Sequence, residues 1–294
     1  MTAKSRRRRD NADMPAQRSR RHLLISLVVM GLVGCASMGD DESNGAETAN
    51  ALASLPVQVL MTQDFATAHR SLAPRLLIPL QAFTATASGS VPVVANALGA
   101  RLQVGASVDV VVAPKAVIDQ LLAQGLVRRD STVDVLKTPL VLVAPASRPV
   151  PALPTPESLR ALLLQHMTVL AYPSTDGGSF IEQKLLPQLG IKDAVLPKSI
   201  KVFGPQVSQL LARGEASLGL QPYSEAAAAP GITVVGPLPQ PLRYETTYTA
   251  AIATHANSAA GAQALQHFYR REAAAHDWSG SGWEAVAAAA KSGE

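Results

Sequence analysis

From residue 56 onward the chain alternates between short apolar runs and stripes at helical spacing. Pro56 to Met61 reads as a strand, Ala66 to Leu80 as a helix that tolerates Pro74, and Val91 to Leu102 as a helix. Val108 to Ala113 is almost uninterrupted valine, the pattern of a strand covered on both faces. Lys115 to Gly125 repeats Val117, Ile118, Leu121 and Leu122 on one helical face and stops at glycine. Pro139 to Pro145 is again a strand. The stretch Ser147 to Pro156 holds four prolines and reads as a break, with Thr155 and Pro156 placed as N-cap and first residue of a new helix. Beyond it, strands are expected at 167–172, 200–203, 216–220, 232–235 and 244–253. Helices are expected at 179–189, 207–213 and 259–275, with an alanine-rich helix at the C-terminus after Trp283. Strands alternating with helices of this length predict an α/β architecture with crossover connections.

Charge changes the picture only once it is divided. The whole chain carries +4, but positions 1–35 hold eight of the 26 lysines and arginines and two of the 22 acids, leaving 18 and 20. The remainder is close to −2, so the basic balance belongs to the N-terminus and gives no support for nucleic-acid binding. Residues 23–33 form an apolar run too short to span a bilayer and of the length found in export signals. The run ends in Leu32-Val33-Gly34-Cys35, which resembles the bacterial lipobox, and Ser19-Arg20-Arg21-His22-Leu23-Leu24 resembles the twin-arginine export motif. Residues 1–35 are therefore expected to be a lipoprotein signal peptide, with the only cysteine lipidated, and 36–54, small and acidic, a flexible tether. Ala36 and Ser37 after the cysteine favour the outer over the inner membrane. Without another cysteine there is neither a disulfide nor a thiolate metal site.

Five stretches, in order, resemble the type 2 periplasmic solute-binding proteins, in particular the molybdate-binding-protein-like branch. They are Val108 to Pro114 with its following helix, Thr155-Pro156-Glu157-Ser158-Leu159, Tyr172 to Ser179, Arg213 to Gln221 and Val235 to Pro239. The resemblance implies two α/β lobes, each with its own sheet, joined by a two-strand hinge: 55–142 with 243–294 as lobe 1 and 146–240 as lobe 2. A ligand would sit between them, at the carboxyl ends of strands.

Four places fit that position. Thr62 and Asp64 follow the first strand, although a carboxylate facing an oxyanion is repulsive and Asp64 could serve as a helix cap instead. Ser88 and Ser90 precede a helix and can cap it or donate to a ligand. Thr175, Gly177, Gly178 and Ser179 lie in a loop whose glycines permit close approach of the backbone, or form an ordinary turn. Gln221 and Tyr223 lie where the family places a ligand-contacting tyrosine, or pack the wall of the cleft. Nucleophile elbow, P-loop, dinucleotide fingerprint and zinc-protease patterns are all absent from the sequence. The resemblance thus implies a lipid-anchored, monomeric receptor on the periplasmic side of the envelope, non-enzymatic and without cofactor or metal. It would capture a small anion, oxyanion or organic acid, for an ABC permease. The same scaffold could instead serve as a ligand sensor or an envelope interaction protein with a degenerate cleft.

Overall fold

The computed structural model describes residues 56–85, 89–104, 107–148, 150, 152, 155–203 and 206–287. Cys35, the tether and Ser88 lie outside them, as do the residues of the alanine-rich terminus from 288 on.

The first sheet grows from β1 (Val57–Thr62), which pairs in parallel with β2 (Leu80–Ala85) on one side and β3 (Val110–Pro114) on the other. Helix α1 (Phe65–Leu72) follows β1, α2 (Val91–Gln103) follows β2, and α3 (Lys115–Ala123) follows β3. Strand β4 (Val133–Pro145) then runs for 13 residues. A second sheet collects α4 (Pro156–Leu163), β5 (Leu170–Pro173), α5 (Asp176–Phe180), β6 (Ile200–Val202), α6 (Gln206–Ala212), β7 (Leu218–Pro222), α7 (Tyr223–Ala226) and β8 (Ile232–Pro237). The chain returns to the first sheet through β9 (Glu245–Ile252), α8 (Ala259–Ala275) and a two-residue strand, β10 (Glu284–Ala285). The strand order is β2-β1-β3-β9-β4-β7-β5-β6.

β4 belongs to both halves. Residues Val133–Pro139 pair antiparallel with β9, and Leu140–Pro145 pair antiparallel with β7 and β8. Each half is covered on both faces. On the first, Phe65, Leu136, Tyr248, Leu265, Tyr269 and Trp283 pack beneath α1 and α8, while Leu60, Val111, Leu98 and Ile118 pack beneath α2 and α3. On the second, Leu142, Leu159, Ile181 and Leu220 fill one face, and Val141, Val143, Val207 and Leu211 the other. Burial on both faces explains why the strands read as valine and leucine runs rather than as alternations.

Several elements follow the expected local chemistry. Thr155 and Ser158 form a reciprocal capping box at the start of α4, with bonds of 3.2 and 3.3 Å. Gly125 and Gly214, both at positive φ, end α3 and α6. Asp109, the polar residue within the valine run, is buried and accepts N–H bonds from Gln58 at 2.8 Å and Ser258 at 2.9 Å.

Others differ. The helix expected over Ala66 to Leu80 ends at Leu72 in a short 3-10 turn, because Pro74 has no amide hydrogen with which to continue the ladder. The chain beyond it becomes β2, a strand lying at the sheet edge. The helix expected from Ser179 starts at Asp176 and widens into a π turn over Ile181–Leu185. The strand expected from Pro139 starts six residues earlier, at Val133. Directly after Trp283, Glu284 and Ala285 pair with Lys137 and Leu136.

Gly219 in β7 sits where α6 presses on the sheet. A Cβ there would lie 2.7 Å from Val207, 2.8 Å from Val143 and 2.9 Å from Leu211. Gly219→Ala should therefore overpack this face and cost about 1–3 kcal/mol. A urea midpoint equal to that of the wild type would contradict the close packing of α6 on β7.

Candidate functional site

The residues just past the ends of β1, β5 and β7 carry a set of buried polar groups. Asp64 occupies the N-cap position of α1 but makes no side-chain cap bond. It accepts a short hydrogen bond from the hydroxyl of Tyr248, a fully buried residue of β9. From the second sheet, Asp176 opens α5, accepting 3.0 Å from the N–H of Gly177 and 2.9 Å from the hydroxyl of Tyr244. Glu225 lies in α7, directly after β7. Its Oε2 is sealed from solvent and has no partner among the described residues.

These carboxyls feel one another. Burial, followed by the charge of Asp64, pushes Glu225 up to about 8. Burial also raises Asp176, an effect opposed by its bonds to Tyr244 and Gly177 and reinforced by Asp64. Tyr248 is driven well above the usual tyrosine range by burial and by the charges of Asp64, Glu225 and Asp176. Tyr248 thus bonds one carboxyl, that of Asp64, and lies within the electrostatic reach of two more. No lysine or arginine pairs with any of them among the described residues. At neutral pH Glu225 is a neutral acid, able to donate as well as accept.

Around this centre further polar atoms are stranded. Thr62 Oγ1, at the end of β1, and Ser174 Oγ, just past β5, are buried without a partner. Ser224 Oγ is in the same condition. Gln221, fully buried in β7, donates from Nε2 to Ser208 at 2.6 Å but leaves Oε1 unmet. A buried polar atom without a bond costs roughly 1–3 kcal/mol, so such a concentration at one place calls for a ligand or bound water.

The residues singled out from the sequence fall as follows. Asp64 is bonded to Tyr248, while Thr62 and Gln221 lie at the ends of β1 and β7, each with a buried side-chain oxygen unmet. Thr175 is the N-cap of α5 without a side-chain bond, and Ser90 is likewise an unbonded N-cap of α2. Ser179 turns its hydroxyl back to the Thr175 carbonyl at 3.5 Å. Gly178 is bare for a packing reason: a Cβ would fall 1.8 Å from the carbonyl oxygen of Pro173. Gly177 has ordinary contact space towards Leu140, Thr175 and Tyr244. Tyr223 starts α7 and packs beside Val207 and Leu211. Phe180 stacks on Tyr244 with ring centres 4.4 Å apart, steadying the tyrosine that holds Asp176.

Sequence reasoning passed over Glu225, Ser174, Ser224, Tyr244 and Tyr248 as site residues. Glu225 had one available signal, its place immediately after a buried strand end. Tyr248 sits within an apolar strand and had none. Among the described residues no group of three or more histidine, cysteine or acidic side chains is placed to hold a metal ion.

The shifts carry a pH consequence. Between its ordinary value of 4.5 and about 8, Glu225 keeps in the folded protein a proton that the unfolded chain has lost. Stability should therefore fall as pH rises through that window, and Asp176, shifted the same way, adds to the fall above its ordinary 3.8. Glu225→Gln should flatten the slope and leave the variant more stable than the wild type at pH 9. Melting curves from pH 5 to 9 with the same slope for both proteins would contradict the burial of this carboxyl.

Comparison with known proteins adds the lineage. An aconitate isomerase from Pseudomonas sp is 28% identical over 211 residues, covering 72% of this chain and 79% of that protein. The substrate-binding domain of a putative molybdenum ABC transporter from Clostridium difficile superposes with a TM-score of 0.62 at 16% identity, over 79% of this chain and 99% of that one. The periplasmic molybdate-binding protein of Azotobacter vinelandii superposes with a TM-score of 0.53 at 18% identity, over 73% of this chain and 92% of that one. These structural likenesses establish the type 2 periplasmic-binding-protein fold, with two sheets joined by β4 and the returning β9. Residues 81–284 match the bacterial extracellular solute-binding proteins, and the chain belongs to that family.

Proposed function

We propose that this protein is a lipid-anchored extracytoplasmic receptor that captures a small organic acid between its two sheets and delivers it to an ABC-type transporter. Residues 55–142 with 243–294 would move as one lobe and 146–240 as the other, and a lipid on Cys35 would hold the monomer on the periplasmic side of the envelope. The observation that carries the reading is the set of unmet polar atoms at the strand ends, Thr62 Oγ1, Ser174 Oγ, Gln221 Oε1, Ser224 Oγ and Glu225 Oε2.

The same groups favour an organic acid over a bare oxyanion such as molybdate. An unprotonated oxyanion offers acceptors only and would leave Gln221 Oε1 unmet. A neutral Glu225 can donate to a ligand carboxylate, while Gln221 Oε1 needs a ligand donor such as a hydroxyl or a protonated carboxyl. A ligand with both functions satisfies both.

A second reading is favoured by one observation, the placing of a proton-holding Glu225 beside the Asp64–Tyr248 pair. Groups so arranged can exchange a proton with a carbon acid, and the relative named as an aconitate isomerase points to an unsaturated tricarboxylate as the compound to try.

One screen separates the readings. The mature protein is melted with citrate, aconitate, malate, succinate, molybdate, sulfate and phosphate. A di- or tricarboxylate at about 100-fold over its Kd should stabilise by roughly 2.7 kcal/mol, with molybdate silent. A response to molybdate alone, or none at all, would contradict the organic-acid reading. Proton NMR of the same aconitate sample in heavy water reports catalysis. Conversion between the geometric isomers, abolished in Glu225→Gln, would establish an isomerase, and an unchanged spectrum would leave a receptor.

A further inference from the structure

The C-terminal segment of the chain returns to the cleft after α8, and its placement there is unusually constrained. Gly282 has φ +76° and lies against the second sheet's α7: a Cβ would come within 2.3 Å of the Tyr223 carbonyl carbon and 2.4 Å of the Ser224 nitrogen. Only glycine meets both conditions. The contact is pinned from β4, where the Thr138 hydroxyl donates to the Gly282 carbonyl at 2.8 Å and accepts the Ser224 N–H at 3.0 Å. Three segments thus meet at one buried hydroxyl, and the next residue along, Trp283, is carried to the floor of the polar centre.

Trp283 is only 4% exposed. Its indole stands edge-on to Tyr248 at 5.0 Å between ring centres, and to Phe65 at 6.2 Å. Tyr248 is the residue bonded to Asp64. The indole Nε1–H is buried and has no acceptor among the described residues. Indole N–H groups are donors only, and a buried one normally finds a partner. Trp278, five residues earlier, does so, donating to the Ala273 carbonyl at 2.8 Å.

The geometry points to Trp283 as a ligand-binding residue: its indole N–H, buried beside Tyr248 and without an acceptor among the described residues, donates to a carboxylate oxygen of the bound organic acid. This rests on the receptor reading above and gives the C-terminal segment a direct part in it. An indole N–H, a donor only, suits an acceptor-rich group. A segment tied at once to β4 and to α7 also registers the relative position of the two sheets, so the donor is presented correctly only when they are correctly set.

The test uses the full chain and two conservative substitutions. Trp283→Phe keeps the ring packing and removes the N–H, while Trp278→Phe removes an N–H that already has a partner. For the carboxylate that stabilises the wild type, titration calorimetry on Trp283→Phe should show affinity weakened by about tenfold to a hundredfold, the range for losing one bond to a charged group. Its melting temperature without ligand should be unchanged or higher, because an unmet donor has been removed. Trp278→Phe should melt lower and bind normally. Full affinity in Trp283→Phe, with the wild type binding, would overturn the assignment and leave the receptor reading intact. Nitrogen–proton NMR of the indoles decides the point even if no carboxylate in the panel binds. Without ligand, the Trp283 N–H proton should resonate upfield of the hydrogen-bonded Trp278 N–H. A Trp283 resonance already at the hydrogen-bonded position would mean that the fold itself uses the donor, and the assignment would fall.

Discussion

A single strand shared by two sheets sets the terms for everything else in this molecule. Because β4 pairs with β9 over Val133–Pro139 and with β7 and β8 over Leu140–Pro145, neither sheet can be placed without the other. The return through β9 gives the second crossing. Two neighbouring strands that pass between sheets make a hinge: the ladder within each half is held by backbone bonds and helix packing, whereas the crossing itself has few atoms to resist bending. In open α/β sheets the carboxyl ends of the strands are where crossover loops can place side chains without disturbing either core, and the loops after β1, β5 and β7 carry the polar groups here.

What the cleft holds is costly to the apo protein. A carboxyl on the Tyr248 hydroxyl, two more close enough to be felt, and further polar atoms left unmet oppose the packing that surrounds them. Phe65, Tyr248, Trp283 and the leucines above them pay for this by apolar burial, each large side chain contributing roughly 1.5–3 kcal/mol. The protein answers the electrostatic part by holding a proton on Glu225 rather than leaving a third charge. A site of this kind stores binding free energy, since a ligand that supplies the missing partners recovers the cost of burying them. The chemistry sought is correspondingly narrow, a molecule presenting oxygen acceptors to the hydroxyls and indole and at least one donor to Gln221.

The scaffold was more legible in the sequence than the site. Runs such as Val108 to Ala113 announce doubly covered strands because periodicity is local, and the helix start at Thr155 is read from the capping residue and the proline that follows it. The helix after β1 was overextended because the apolar pattern across Pro74 remains regular, and only the missing amide hydrogen stops it. The first half of β4 does not read as a strand because Asp134 and Lys137, facing a partially open surface, and the buried Thr138 interrupt the apolar run. Thr62, Asp64 and Gln221 could be found because they end strands. Tyr248 and Trp283 could not, for both look like ordinary core aromatics until β9 and the terminal segment are folded back over β1. Gly178 was read as room for a ligand, and the neighbouring Pro173 carbonyl explains it instead. Sequence registers that a position must be small, while the atom that makes it so is set by the tertiary fold.

The central claim is that the two sheets close on a ligand that completes the polar centre. Small-angle X-ray scattering from the mature protein, with and without the carboxylate that stabilises it, tests this most directly. The account predicts a smaller radius of gyration with ligand, saturating at the same concentration as binding and absent when Glu225 and Trp283 are both replaced. A radius unchanged by a ligand proven to bind would contradict closure and place the ligand outside the cleft.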